Sequence, residues 1–216
     1  LQAHVDAQPV DFFIHAGDFS QITGADTYYQ RCVFDIYNNA TSVNWMASVP
    51  VYPCLGNHDL PYGDYMSILS LPTENSGTEQ YYSFDYGNAH FVALDSTTRG
   101  GAQFAWLQND LASTDKHWKF VYFHYPMHSQ KGTDGNLSAG HVWGASWEQL
   151  MTDYHVDVVF HGHTHVCRRT YPLVCTGDVY NPLIIHPPEW GRGTIYVNSS
   201  HSGYMLGPLD AVGGSG

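Results

Sequence analysis

The chain has 216 residues, 43% of them hydrophobic, which suits one domain with a full core better than two. Eight Lys plus Arg stand against twenty Asp plus Glu, a formal net charge of -12, and this excludes a nucleic-acid binder that relies on a basic face. Apolar runs such as VDVVF at 156–160 are far too short to cross a bilayer, so no membrane span is expected.

Taken in chain order, residues 1–8 resemble a helix end that Pro9 breaks. VDFFIHAGD, 10–18, is rich in β-formers and predicts a strand ending on Gly17-Asp18. Between 26 and 48 the spacing of Tyr29, Val33, Ile36 and Tyr37 predicts a helix. It leads into VPVYPCLGNHD, 49–59, a second short strand with polar residues at its end. YYSFDYGNAHFVALDS, 81–96, reads as two alternating strands joined at Tyr86-Gly87-Asn88. QFAWLQNDLAS, 103–113, carries Phe104, Leu107 and Leu111 on one helical face, and KFVYFHYP, 119–126, is a strand that delivers His124. A helix over about 145–154 precedes the strand of VDVVFHGHTH, 156–165, and GTIYVNSS, 193–200, supplies the last strand. Residues 1–212 read as one domain, and the terminal 213–216 GGSG as a flexible tail.

Four cysteines, Cys32, Cys54, Cys167 and Cys175, form an even set with no CxxC pair, and Cys167 and Cys175 are spaced to close a small disulfide loop. Glycosylation sequons at Asn39, Asn136 and Asn198 accompany them. Together these favour an oxidising location: secretion, or a secretory or vacuolar lumen.

The polar clusters recur at strand ends: Gly17-Asp18, Gly56-Asn57-His58-Asp59, His124 and Gly162-His163-Thr164-His165. Open α/β sheets gather functional groups there. A carboxylate can bridge two cations, an amide oxygen is a neutral hard ligand, and imidazole suits Zn, Fe, Ni or Cu. Mixed N/O ligation without thiolate points to a hydrolytic centre, not a structural zinc site. In a strand-turn geometry His163 and His165 alternate around Thr164, so both can face a shared site while His161, before the turn, and Thr164 point elsewhere, and Gly162 leaves room for close backbone approach.

The series GD…GNHD…H…GHTH resembles that of the calcineurin-like metallophosphoesterases. The flanking YYSFDYGNAHFVALDS, QFAWLQNDLA, FHYPMHS, VDVVFHGHTHVCRRTYPL and GTIYVNSS are similar, in the same order, to the purple acid phosphatase group, over about residues 9–200. The resemblance implies an α/β fold, a four-layer α-β-β-α sandwich of two mixed β-sheets flanked by helices. It implies that Asp18 bridges two metal ions, that Asn57, His124 and His163 complete one shell, and that His165 serves the other. His58 would contact the phosphate or protonate the leaving oxygen, with Asp59 orienting it. The implied activity is acid phosphatase-like hydrolysis of phosphomonoesters by a hydroxide activated between two ions of Fe, Zn or Mn. His128 and His141 are further candidates for substrate contact.

Three positions depart from the family pattern. The D-x-G or D-x-H of the opening strand is missing: Asp6 lies too near Asp18 for the crossover a parallel pair needs, which places that strand upstream of residue 1. One metal would then keep only Asp18 and His165 from this chain. Gln21 occupies the place of the tyrosine that colours the ferric enzymes, so no violet iron centre is expected. His128 stands where the family often has tyrosine. The first two departures motivate an alternative: a catalytically impaired glycoprotein that keeps the fold for a structural or binding role.

Overall fold

A computed structural model describes residues 10–37, 45–130, 137–139, 143–165, 167–177, 182–185 and 191–199. Strand β1 (Phe13–His15) pairs in parallel with β2 (Val51–Pro53). Between them runs the helical segment α1, Asp26–Tyr29 continuing through a π-helical turn at Gln30–Phe34 into Asp35–Tyr37. After β2 a short 3-10 turn, Asn57–Asp59, precedes α2 (Gly63–Ile68).

The second half builds a six-stranded sheet. The hairpin β3 (Tyr82–Tyr86) and β4 (Ala89–Ala93) turns at Gly87, where φ is +57°. Helix α3 (Gly101–Ser113), β5 (Trp118–Phe123), the small hairpin β6 (His128–Gln130) and β7 (Leu137–Ala139), and α4 (Ala145–Asp153) follow. Strands β8 (Val158–His161), β9 (Cys167–Arg169), β10 (Leu173–Val174), β11 (Leu183–Ile184) and β12 (Ile195–Ser199) complete the described elements. The sheet order is β3-β4-β5-β8-β12-β9, parallel from β4 to β12 with an antiparallel strand at each edge.

Side-chain alternation along β5 sets the layers. Val121 and Phe123 join Leu107, Leu111, Trp147, Leu150 and Met151 of α3 and α4 in one core. Tyr122 points the other way, into a second core with Phe19, Tyr29, Val33, Leu55, Tyr65 and Tyr82. That second core lies between the six-stranded sheet and β1-β2, where Phe12 makes edge contacts with Tyr52, Phe84 and Phe91. The expected mixed α/β architecture is present, with α3 and α4 packed on one face of the mixed six-stranded sheet and β1-β2, α1 and α2 contributing to the core on its other face; among the described residues the second sheet is a parallel pair and not the mixed sheet expected. Strand β5, covered on both faces, is continuously apolar or aromatic from Phe120 to Phe123 for this reason.

The four cysteines are free thiols, with Cys167 exposed and Cys54 and Cys175 buried. The expected Cys167–Cys175 loop is not formed; Cys175 Sγ lies 3.7 Å from the Ala145 carbonyl instead.

Candidate metal centre

The C-terminal ends of β1, β2, β5 and β8 meet at one point, two from each sheet. The chain leaves β1 through Gly17 at φ +82° and Asp18 at φ +53°. A Cβ on Gly17 would sit 2.6 Å from His124 Cβ, so only glycine lets the two sheets approach this closely. Asp18 Oδ1 accepts the His58 N–H at 2.8 Å, and Oδ2 lies 3.1 Å from His124 Nε2. Asn57 Oδ1 is 3.0 Å from His124 Nε2 and 3.1 Å from His163 Nδ1, and those two ring nitrogens are 3.3 Å apart. Donor atoms of Asp18, His124 and His163 all fall within 4.8 Å of one another.

The chemistry of these atoms asks for positive charge. His124 Nδ1 donates its hydrogen to the Ala16 carbonyl at 3.0 Å, so in the neutral ring Nε2 carries a lone pair. That lone pair faces a carboxylate oxygen, an amide oxygen and a second imidazole nitrogen. Four acceptor-type atoms at such distances repel unless a proton or a metal ion sits among them. An N₂O₂ set of imidazoles, carboxylate and amide oxygen fits a hydrolytic divalent ion. Burial works to raise the Asp18 carboxyl, but positive charge or a hydrogen at the His124 Nε2 position, with the His58 N–H, outweighs it and holds the group below the ordinary carboxylate value. Burial and the neighbouring His124 lower His163, keeping its ring neutral and able to ligate.

A cavity of about 250 Å³ opens beside these atoms, and Gln21, His165 and Ser199 line it together with Asp18, His124 and His163. His165 borders the space without joining the close group of Asp18, His124 and His163.

Residues 1–167 match the calcineurin-like phosphoesterase family. The chain belongs to that family. Among relatives, it is 30% identical over 154 residues to purple acid phosphatase 23 of Arabidopsis thaliana, covering 62% of this chain and 33% of that protein. It is 25% identical over 224 residues to acid phosphatase type 7 of Mus musculus, covering 89% of this chain and 48% of that protein. The chain thus spans between a third and a half of the length of these relatives. In fold it is similar to the purple acid phosphatase PPD1 of yellow lupin (Lupinus luteus) seeds, with a TM-score of 0.65 at 21% identity over 91% of this chain and 38% of that one. It is also similar to GAP50, described as the anchor in the inner membrane complex of Plasmodium, with a TM-score of 0.56 at 14% identity over 92% of this chain and 64% of that one.

Within this phosphoesterase fold several expected residues take other places. Asp59 does not orient His58. Its carboxylate is fully buried and accepts the N–H groups of Phe19 (3.2 Å), Ser20 (2.8 Å) and Gly56 (2.8 Å) and the Tyr29 hydroxyl (3.0 Å). It therefore ties the residues after Asp18 to the residue before Asn57. The His58 ring is held instead by the Ile22 carbonyl, 3.2 Å from Nδ1. His128, expected at the substrate, is 4% exposed, and its Nε2 lies 3.0 Å from Glu148 Oε1. Asn198 is 3% exposed with its amide engaged to the Gly162 carbonyl, which leaves no room for a glycan. His141, Asn39 and Asn136 lie outside the described residues. His163 reaches the site from a turn at φ +63°, not from strand alternation, because β8 ends at His161. Gly162 serves the sheets more than a ligand: a Cβ there would meet the Ala16 carbonyl oxygen at 2.5 Å.

The place of Tyr125 at the site, and the bracing role of Gln21, escape sequence reasoning. Tyr125 stands edge-on to the His163 ring, centroids 4.5 Å apart, and its N–H is fixed by Ser96 Oγ at 2.9 Å. The Gln21 amide donates to the Asp18 carbonyl at 2.7 Å, so the residue in the place of the family's tyrosine braces the ligand turn. Neither carries a spacing signal; the adjacency of Tyr125 to His124 is the nearest thing to one.

Proposed function

We propose that the protein is a metal-dependent phosphomonoesterase whose centre is held by Asp18, Asn57, His124, His163 and His165. The observation that carries this reading is the convergence of carboxylate, amide oxygen and two imidazole nitrogens, from four strand ends, on a point where their lone pairs are mutually repulsive. Relatives named as acid phosphatases support it. Two divalent or trivalent ions, of Fe, Zn or Mn, are the cofactors in this reading, and a phosphate ester is the substrate. Bound there, such ions would supply positive charge to the phosphoryl oxygens and lower the pKa of a coordinated water.

The chain's own residues supply the rest. Asp18 would hold the ions with its carboxylate, whose Oδ1 is steadied by the His58 N–H. The Ala16 carbonyl fixes the His124 tautomer, leaving Nε2 free to ligate. His58, with Nδ1 engaged by Ile22, keeps Nε2 as the atom able to hold a proton for the departing ester oxygen. The Tyr125 ring walls one side of His163. A secretory or vacuolar location belongs to the same reading and rests on the sequons at Asn39 and Asn136.

Hydrolysis of a generic aryl phosphate by the full-length protein, metal-loaded, is the test. Asp18→Asn and His163→Ala each remove a ligand, and activity is expected to fall by about a thousandfold or more, the scale lost when one group of a catalytic unit is removed. Intact turnover in either variant refutes the assignment. A second reading, a phosphoesterase fold retained for binding alone, is favoured by the position of His165 outside the close ligand group. Elemental analysis separates the two: two metals per chain support the enzyme, and one or none with no turnover supports the binding module.

A further inference from the structure

Behind the metal centre, on the face of the six-stranded sheet that α4 covers, lies a set of buried polar side chains that the proposed chemistry does not use. His161 is 1% exposed, and neither ring nitrogen has a hydrogen-bond partner among the described residues. The same holds for Nδ1 of His128 (4% exposed), Oε2 of Glu148 (0%) and Oδ1 of Asn198 (3%). These atoms belong to one neighbourhood: His128 Nε2 meets Glu148 Oε1 at 3.0 Å, the His128 ring lies on Tyr196, and His161 and Asn198 are register partners on β8 and β12. Leaving a polar group buried without a partner carries its full desolvation penalty. A core position filled by leucine or phenylalanine would avoid that cost, so packing alone does not explain these residues. Violations of this kind concentrate where a site needs them.

What the cluster touches suggests the need. His128 ends the loop that starts at the ligand His124. His161 is the last residue of β8, immediately before Gly162-His163, and Gly162 N–H donates to the His124 carbonyl at 3.0 Å, linking the two ligand loops. Asn198 grips the second loop directly, its Nδ2 donating to the Gly162 carbonyl at 3.3 Å and to Thr164 Oγ1. His163 sits between those two contacts at φ +63°, a conformation that a residue with a side chain keeps only when its surroundings hold it there.

We propose that His161, Asn198 and the His128–Glu148 pair form a buried polar brace that positions the His163 turn and the His124 loop for metal binding. They are positioning residues and touch neither substrate nor metal. The inference rests on the metal-centre reading. Outer partners of metal ligands commonly govern affinity by 10–100-fold.

The experiment is a calorimetric titration of the full-length protein with Zn²⁺ or Mn²⁺, paired with thermal unfolding of the metal-free form. His161→Leu removes the two unpaired nitrogens at similar volume. Expected is a loss of metal affinity of about 10–100-fold with the metal-free melting temperature unchanged or raised, and recovery of most of the affinity in His161→Gln. If His161→Leu does not fold, Asn198→Ala, which drops both contacts to the turn, is expected to lose affinity on the same scale. Wild-type affinity in the folded variant, or an affinity loss matched by an equal loss of metal-free stability, overturns the brace and leaves the metal centre standing. Wild-type protein that binds neither ion overturns the metal-centre reading itself, and the brace with it.

Discussion

Replacing Asp59 by asparagine tests how the two halves of the ligand set are held together. In the native carboxylate Oδ1 accepts Ser20 N–H and the Tyr29 hydroxyl, and Oδ2 accepts Gly56 N–H and Phe19 N–H. An asparagine of the same shape keeps one oxygen and turns an NH₂ toward the other two donors. Two hydrogen bonds to a charged acceptor are lost, each worth about 1.5–3 kcal/mol. Against this, burial pushes the Asp59 carboxyl up in spite of its four partners, so removing the charge returns part of its desolvation cost. The net loss is about 2–4 kcal/mol, a large share of the roughly 5–15 kcal/mol that stabilises a domain. Urea unfolding of the metal-free protein measures it. Because Asp59 joins the residues beside Asp18 to those beside Asn57, metal affinity should fall as well, by about tenfold or more. Tyr29→Phe is the control, losing one such bond and about 1.5–3 kcal/mol. An Asp59→Asn protein within about 0.5 kcal/mol of wild type, binding metal normally, would refute the argument.

Gly56→Ala would press a methyl onto the Asp18 backbone nitrogen and carboxylate; a stability loss of about 3 kcal/mol together with lost metal binding is expected, read by unfolding and titration. His90 bridges Asp85 (2.7 Å) and Asp110 (2.9 Å), and although burial opposes its charge, these two carboxylates raise its pKa. Its contribution is therefore fully present below the unfolded value near 6.5 and fades as pH climbs through the raised folded value, so His90→Gln should flatten the pH dependence of stability above neutrality. His15 shows the opposite sign: burial, then His124, lower it to about 4, so stability falls as pH drops below about 6.5, by about 3 kcal/mol at the limit, and His15→Phe should blunt that acid sensitivity in pH-dependent melting. Thiol titration without reductant should count all four cysteines in denaturant and find Cys167 the quickest in the native protein.

The strands that end in polar clusters were legible because an apolar run closed by glycine or a polar residue is a local signal, as in FFIHAGD and FVYFH. The hairpin turn at Tyr86-Gly87-Asn88 was legible for the same reason, as was α3 from Leu107 and Leu111. The π-helical turn at Gln30–Phe34 was not, since its residues match an ordinary helix, and β9, β10 and β11 are too short to generate a period. At the site, strand-end clusters and the family resemblance pointed to Asp18, Asn57, His124 and His163, whose donor atoms the fold does bring close, but how His163 arrives was misjudged, because a positive-φ turn leaves no mark in residue alternation. The roles of Asp59 and His128 were hidden for another reason. Their partners, Ser20 and Glu148, lie 39 and 20 residues away, and only the folded sheets bring them together.

Asp18 and Asn57 hang from the two-stranded sheet, His124 and His163 from the six-stranded one, and most of what joins the sheets besides is aromatic packing around Phe12 and Tyr122. An ion gripped by all four would act as a rivet through both layers. With that ion bound, the amides of β1 and β2 are expected to exchange hydrogen only through global unfolding, and with it removed through a lower-energy opening of that unit, so that a single small ion would set the cooperativity of the whole domain.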